Sequence, residues 1–154
     1  MEKKVYIVGA KRSPIGSFLG SLKEVHPSEF GAQVLKAALA QANVPADQVD
    51  EVIVGNVIAA GTGQGLARQI SIKAGIPAEV PAYGLNMVCG SGLRAIMNAA
   101  DQITLGNASV ILAGGVTPEG KRVISEKNLL HRRVPPNDGC IALGQAVVAG
   151  YGQI

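Results

Sequence analysis

The sequence predicts an α/β fold in which a mainly parallel sheet carries helices on both faces. Short runs rich in Val and Ile alternate along the chain with segments of helical periodicity, and the connections between them are short. The chain has 154 residues, which is enough for one domain with a core of its own. The order β-α-β-α-β-α-β implies parallel strands joined by right-handed crossovers.

The first predicted elements follow from local signals. Residues 5–10 form a short apolar run that is typical of a buried strand. Ser28 is a candidate N-cap for a helix that ends near residues 43–45. The apolar positions of this helix share one face: Phe30, Val34, Leu35, Ala38 and Leu39. Residues 49–58 are predicted as the second strand.

The remaining elements of the predicted sheet follow in the same alternation. Residues 66–74 are predicted as a helix and residues 81–88 as the third strand. A glycine-rich turn at 89–92 opens a long helix that runs to Leu105, and residues 109–116 are the fourth strand. The apolar face of the long helix, at close to ideal helical spacing, consists of Leu93, Ile96, Met97, Ala100 and Ile103.

The sequence changes character after the fourth predicted strand, and we divide the chain there. Residues 1–116 form the predicted α/β domain, and residues 117–154 form a divergent tail. The tail begins with a charged stretch that carries three prolines and has weak periodicity, which predicts a loop or linker. Residues 139–154 are apolar and glycine-rich, and they are a candidate for a strand or helix that completes the sheet.

Composition excludes several classes of protein. The two cysteines, Cys89 and Cys140, indicate neither a disulfide framework nor a zinc site. Three Tyr, two Phe, no Trp and a scattered net charge of +3 argue against a nucleic-acid partner. No apolar run is long enough for a signal peptide or a membrane span, so we expect a cytoplasmic protein without a membrane partner. The hydrophobic fraction of 47% predicts that a partner chain or a further domain covers part of the surface.

Cys89 occupies a position that suits a nucleophile, because it is predicted to follow a strand directly and to precede a long helix. Unpaired first-turn N–H groups and the helix dipole favour a thiolate there. Gly90 and Gly92 leave room for a substrate carbonyl, and backbone amides beside them could support a developing oxyanion. Two alternatives stay open: Cys89 could be a small buried hydrophobe, and the turn could hold a phosphate.

Four segments of the chain resemble the thiolase family in the family's order and spacing. The segment 86–95, NMVCGSGLRA, contains the family's nucleophile motif N-x-x-C-G-S-G. The others are KRSPIGSF at 11–18, the strings GNV, AGTGQ and ARQ within 55–69, and AGG at 113–115. They span most of the predicted α/β domain and are most similar to the acetyl-CoA acetyltransferase branch of the family.

This resemblance implies an acyltransferase, an acetyl-CoA C-acetyltransferase that forms or cleaves acetoacetyl-CoA through an acetyl group on Cys89. A second acetyl-CoA, deprotonated at its α-carbon, would attack the acetyl-enzyme. The amide N–H of Cys89 would form part of an oxyanion hole, supported by the backbone at Gly90 and Gly92. Acetyl-CoA and CoA would be the partners as substrates, with no metal and no other cofactor. The resemblance also implies a homo-oligomer, either a dimer or a tetramer.

The sequence departs from the family's pattern in its tail. None of the N-E-A-F, G-H-P and C-x-G segments of the second half of a thiolase is intact. We interpret His26 and His131 as surface residues and Cys140 as a structural residue. Residues 137–144, NDGCIALG, are similar to the stretch that leads into His-Pro in the family, but Gln145 stands where the His would be and cannot exchange a proton as His does. This match is either a relic or a coincidence.

Three hypotheses therefore follow from the sequence. The first is a truncated or internally deleted thiolase whose Cys89 reacts but whose turnover is impaired. The second is a half-enzyme that a partner chain completes. The third is a non-catalytic binding or assembly module with a thiolase fold.

Overall fold

The computed structural model describes residues 4–17 and 19–117 and the backbone of residues 145–149. The described strands and helices alternate as the sequence predicts, which confirms the α/β fold class. They are β1 (Ile7–Arg12), α1 (Pro27–Ala42), β2 (Glu51–Gly55), α2 (Leu66–Ala74), β3 (Ala82–Leu85), α3 (Ser91–Leu105), β4 (Ile111–Gly115) and β5 (Gln145–Ala149), with one turn of 3-10 helix at Ala46–Gln48.

The strands form one sheet in the order β1-β5-β4-β2-β3. β2 lies between β4 and β3 and pairs parallel with both. β5 lies between β1 and β4 and pairs antiparallel with both, so the other four strands run in one direction. The sheet is thus mainly parallel, as predicted, and the antiparallel strand comes from the tail. The division of the chain at residue 116 stays a prediction.

The two faces of the sheet are covered by different helices, which confirms the prediction of helices on both sides. Side chains of β2 alternate between the faces, because successive residues of a strand point in opposite directions. Val52 and Val54 join a core with α1 and α2, whereas Ile53 joins a core with α3. The core under α3 consists of Ile53, Ala95, Ala99, Ile103, Ile111 and Ala113.

The prediction of Ser28 as the N-cap of α1 is wrong by two residues. The helix begins at Pro27, and its N-cap is His26. The Nδ1 atom of His26 accepts a hydrogen bond from the backbone N–H of Ser28 at 3.2 Å and lies 2.7 Å from the Ser28 hydroxyl. Proline is favoured at the first position of a helix, which moves the start ahead of Ser28. His26 is therefore half-buried in a helix cap.

The apolar face predicted for α3 meets the sheet only in part. The residues of α3 that face the sheet lie four apart and are mostly small: Ser91, Ala95, Ala99 and Ile103. Of the predicted set, Ile103 is fully buried and Ile96 packs against the same core while partly buried, but Leu93 is 65% exposed and Met97 is exposed as well. Small side chains let the helix approach the sheet closely, whereas Leu93 and Met97 lie on the opposite side. An outward apolar face of α3, formed by Leu93 and Met97, is the result.

Glu51 gives the fold a pH dependence that can be measured. Burial at the start of β2 raises the pKa of this carboxyl. The folded chain therefore binds the proton more tightly than the unfolded chain, and its free energy of unfolding falls as the pH rises through the interval between the two pKa values. In Glu51→Gln we expect this decrease of the unfolding free energy with pH to vanish. Urea unfolding at several pH values across that interval measures the slope of the free energy against pH. Glu79→Gln, on the exposed surface, is the control. An unchanged slope in Glu51→Gln would contradict the assignment.

Candidate active site at the Cys89 turn

Cys89 lies in the turn that joins β3 to α3, and its side chain is exposed. The structure therefore contradicts the alternative in which Cys89 is a small buried hydrophobe. The predicted position directly after a strand also needs correction. β3 ends at Leu85, so three residues of turn separate the strand from Cys89. The chain leaves the sheet at Leu85, so Cys89 lies in the turn beyond the carboxyl end of β3.

The helix that follows Cys89 begins at Ser91, with Gly90 as its N-cap. No side chain caps this end of α3 through a hydrogen bond. The N-terminal end of a helix carries about half an elementary positive charge, because its first N–H groups have no partner within the helix. Cys89 is two residues before that end, where negative charge on a reacting group is favoured.

Val88, the residue before Cys89, has a left-handed backbone conformation with φ of 51°. This conformation is uncommon for any residue with a side chain and is a real outlier for a β-branched one. Asn86 holds the N–H of Val88, which donates to Asn86 Oδ1 at 2.9 Å. The Nδ2 of Asn86 in turn donates to the carbonyl of Val57 at 3.1 Å. The turn is thus tied to the segment that follows β2.

Ser91 holds the same turn from the helix side. Its hydroxyl accepts a hydrogen bond from the N–H of Met87 at 2.9 Å and donates one to the carbonyl of Val88 at 2.6 Å. Its side chain is almost fully buried, with 1% of the residue exposed. Ser91 belongs to the N-x-x-C-G-S-G motif, but the motif alone does not indicate this role.

Glycines at the ends of two strands let α3 lie directly on the sheet. A Cβ atom on Gly55, at the end of β2, would lie 2.5 Å from the carbonyl carbon of Ser91 and 2.7 Å from the nitrogen of Gly92. A Cβ atom on Gly115, at the end of β4, would lie 3.0 Å from the Cα of Gly92. Gly55 and Gly115 are register partners. The start of α3 is therefore fixed by backbone contacts at the carboxyl ends of two neighbouring parallel strands.

The two glycines proposed for oxyanion support have other contacts in the structure. The N–H of Gly90 donates to the carbonyl of Met87 at 3.1 Å, so it already has a partner within the turn. Gly92 packs against Gly115. Their role toward a substrate oxyanion stays a prediction. Gly55 and Gly115 were not predicted as part of the site, and the signal that could have found them is that each ends a strand opposite the start of α3.

The comparison with known proteins identifies the family. Residues 5–133 match the family model described as the thiolase N-terminal domain. The chain belongs to the thiolase family. An acetyl-CoA acetyltransferase from Syntrophomonas wolfei is 51% identical over 115 residues, which cover 75% of this thiolase chain and 29% of the relative. The family prediction is thereby confirmed, and the match extends past residue 116.

Solved structures agree with the sequence relatives. The crystal structure of the Bacillus anthracis acetyl-CoA acetyltransferase superposes with a TM-score of 0.71 at 43% identity, covering 74% of this chain and 29% of that one. A thiolase from Ascaris suum in complex with coenzyme A gives 0.72 at 40% identity, covering 73% and 30%. This thiolase chain spans under a third of the length of these relatives.

Several predicted features of this thiolase cannot be placed. His131, Cys140 and the stretch 137–144 lie outside the described residues. Within the part of the chain that the structure describes, no group of three or more His, Cys, Asp or Glu side chains could hold a metal ion. Among the helices of that same part, none is long and apolar enough to cross a membrane.

Proposed function

We propose that this thiolase chain takes an acetyl group from acetyl-CoA onto Cys89, the first half of an acetyl-CoA C-acetyltransferase reaction. The observation that carries the proposal is the exposed Cys89 in the N-x-x-C-G-S-G turn at the start of α3. The acetyl-CoA acetyltransferases among its relatives and the coenzyme A in the Ascaris suum thiolase support acetyl-CoA as the donor.

The chemistry of this step balances without a metal or a redox cofactor. The thiolate of Cys89 attacks the thioester carbonyl, a carbon–sulfur bond forms to Cys89, and CoA leaves as a thiolate. The developing oxyanion lies near the positive end of α3, where the amide N–H of Cys89 is the donor that the resemblance implies. CoA thioesters are the substrates in this proposal, and no cofactor is needed.

Turnover beyond the first step is proposed to be impaired. Formation of acetoacetyl-CoA needs a base that removes a proton from the α-carbon of the second acetyl-CoA. In the family that group lies in segments whose motifs are not intact in this sequence. We therefore expect at most one acetyl group per chain. We also propose that the chain acts as a homo-oligomer in the cytoplasm.

Mass spectrometry of the intact protein after incubation with acetyl-CoA tests the proposal. The wild-type chain should gain the mass of one acetyl group, and Cys89→Ser should gain none. Thr104→Ala, which removes a hydroxyl from the other end of α3, is the control and should behave as the wild type. An adduct of equal yield in Cys89→Ser, or none in the wild type, would contradict acetyl transfer to Cys89.

A half-enzyme that a partner chain completes is the second candidate, and the outward apolar face of α3 favours it. Leu93 and Met97 on this face, together with Met87 and Val88 beside Cys89, are exposed in the described part of the chain. Exposed apolar side chains that cluster in this way mark interaction surfaces. An adduct that appears only after a second polypeptide is added would favour this candidate. The third candidate, a non-catalytic module, predicts no adduct under either condition.

A further inference from the structure

We propose that Ser91 and Asn86 are positioning residues that hold Val88 in its left-handed conformation and thereby orient Cys89. This inference rests on the proposed acetyl transfer to Cys89 and assigns a task to two side chains beside it. Both polar backbone groups of Val88 are bound by these side chains, the N–H by Asn86 and the carbonyl by the Ser91 hydroxyl, and the carbonyl also accepts from the backbone N–H of Ser91.

The conformation of Val88 needs such support. Strained backbone conformations persist only where the surrounding structure holds them in place, and they concentrate at functional sites. Among the described residues, three that are not glycine have a positive φ: Leu19, Asn43 and Val88. Asn43 is the C-cap of α1, a common place for this conformation. Val88 is the β-branched member of the three, and it immediately precedes Cys89.

The Ser91 hydroxyl suits this task because it donates and accepts at once. A hydroxyl has one donor and two acceptor positions. Here it accepts from the N–H of Met87 and donates its proton to the carbonyl of Val88, so it links the peptide group that precedes Met87 to the peptide group that follows Val88. Ser91 is itself fixed, since its backbone packs against Gly55 at the end of β2.

Asn86 supplies the second anchor. Its Oδ1 accepts from Val88 while its Nδ2 reaches the carbonyl of Val57, so the turn is held both to α3 and to the segment beyond β2. In Ser91→Ala the backbone N–H of residue 91 still donates to the carbonyl of Val88 at 3.1 Å, but both hydrogen bonds of the hydroxyl are lost. Val88 is then held less firmly at its positive φ, and a change in its conformation turns the next residue, Cys89, with it. The thiol stays exposed in that case but loses its orientation relative to the N-terminal end of α3.

The test compares two reactions of Cys89 in the full chain. Acetyl transfer depends on the orientation of the sulfur toward the carbonyl and the oxyanion donors, and a misplacement near 1 Å costs on the order of 100-fold in rate. Alkylation by iodoacetamide needs only an accessible sulfur. Ser91→Ala should therefore lose about 100-fold in the rate of acetylation and much less in the rate of alkylation. Thr104→Ala, whose α3 hydroxyl also donates to a backbone carbonyl, should change neither rate.

Val88→Gly provides a second variant that separates positioning from folding. Glycine adopts a positive φ without steric cost, so the hydroxyl of Ser91 has less strain to oppose. The loss of acetylation caused by Ser91→Ala should be smaller in the Val88→Gly background than in the wild type. An equal loss in both backgrounds, or acetylation of Ser91→Ala at the wild-type rate, would overturn the proposal. Acetylation and alkylation that fall together by the same factor would do so as well.

Amide hydrogen exchange distinguishes failure of this proposal from failure of the proposed function. If the wild-type chain takes no acetyl group, the proposed acetyl transfer to Cys89 is wrong. The exchange rates of the Met87 and Val88 amides then test separately whether Ser91 and Asn86 fix the conformation of the turn. Faster exchange of the Met87 amide in Ser91→Ala, with a matching effect on Val88 in Asn86→Ala, would support the hold. Exchange at the wild-type rates in both variants would overturn it.

Discussion

Gly55→Ala is expected to lower the free energy of unfolding by about 3 kcal/mol, near the upper end of what overpacking usually costs. The added Cβ would lie 2.5 Å from the carbonyl carbon of Ser91 and 2.7 Å from the nitrogen of Gly92. Both are backbone atoms in the first turn of α3, so the helix would have to move away from the sheet. Urea unfolding followed by circular dichroism measures the loss. The displaced helix should also lower the rate of Cys89 acetylation.

Gly84→Ala is the matched control for this variant. Gly84 lies in β3 and pairs with Val54 of β2, so both glycines belong to neighbouring strands of the same sheet. A Cβ on Gly84 would meet its nearest atom, the carbonyl oxygen of Val54, at an ordinary contact distance of 3.5 Å. We expect a small effect or a slight gain in stability. Equal losses in the two variants would contradict the close approach of α3 to β2.

Ile103→Ala is the second variant with a large expected effect, a loss of about 3 kcal/mol in the free energy of unfolding. Ile103 is fully buried in the core between α3 and the sheet. The buried members of that core are three large side chains, Ile53, Ile103 and Ile111, and three alanines, with Leu85 and Ile96 among the partly buried residues packed against them. Removing one of the three leaves a cavity that its alanine neighbours are too small to fill.

Leu93→Ala in the same helix is the comparison. Leu93 belongs to the apolar face predicted for α3, but it lies on the outward side of the helix, so its truncation should change stability by less than about 0.5 kcal/mol. Thermal and urea unfolding of the two variants show which side of α3 packs against the sheet. A loss from Leu93→Ala as large as that from Ile103→Ala would show that the outward face is covered in solution.

Local signals were sufficient where an element is bounded by its own residues. The bounds of α2 were predicted as they are observed, because a glycine stands at each end: Gly65 is the N-cap before the helix, and Gly75 is the left-handed C-cap that ends it. The predicted strands over 49–58 and 81–88 were too long. Apolar residues continue past Gly55 and Leu85, but the pairing with neighbouring strands stops there. The apolar character of a segment does not show where its pairing with a neighbouring strand stops.

The orientation of α3 and the place of β5 depend on contacts between distant segments. Periodicity showed that α3 has an apolar side, but a helix with apolar residues on two sides does not reveal which one meets the sheet. The inward side uses Ala95 and Ala99, which a search for large apolar residues overlooks. The antiparallel insertion of β5 between β1 and β4 breaks the simple rule that alternating strands and helices give parallel neighbours.

The candidate site was predicted only in part, because some of its contacts join segments that are distant in sequence. The motif located Cys89, because a cysteine between glycines and a helix is visible in the sequence. The supports of the turn were not visible. Gly55 and Ser91 meet only after the sheet and α3 have packed, and Asn86 reaches a carbonyl 29 residues away in sequence. The exposure of Cys89 likewise follows from the early end of β3 at Leu85.

Reversal of the acetyl transfer tests the central claim most directly. The chain is incubated with acetyl-CoA, freed of small molecules, and weighed by mass spectrometry before and after addition of CoA. We expect one acetyl group that maps to the peptide containing Cys89, is absent in Cys89→Ser, and is removed by CoA with release of acetyl-CoA. A mass gain that persists in CoA, or that maps to lysine and remains in Cys89→Ser, would contradict a nucleophilic role for Cys89.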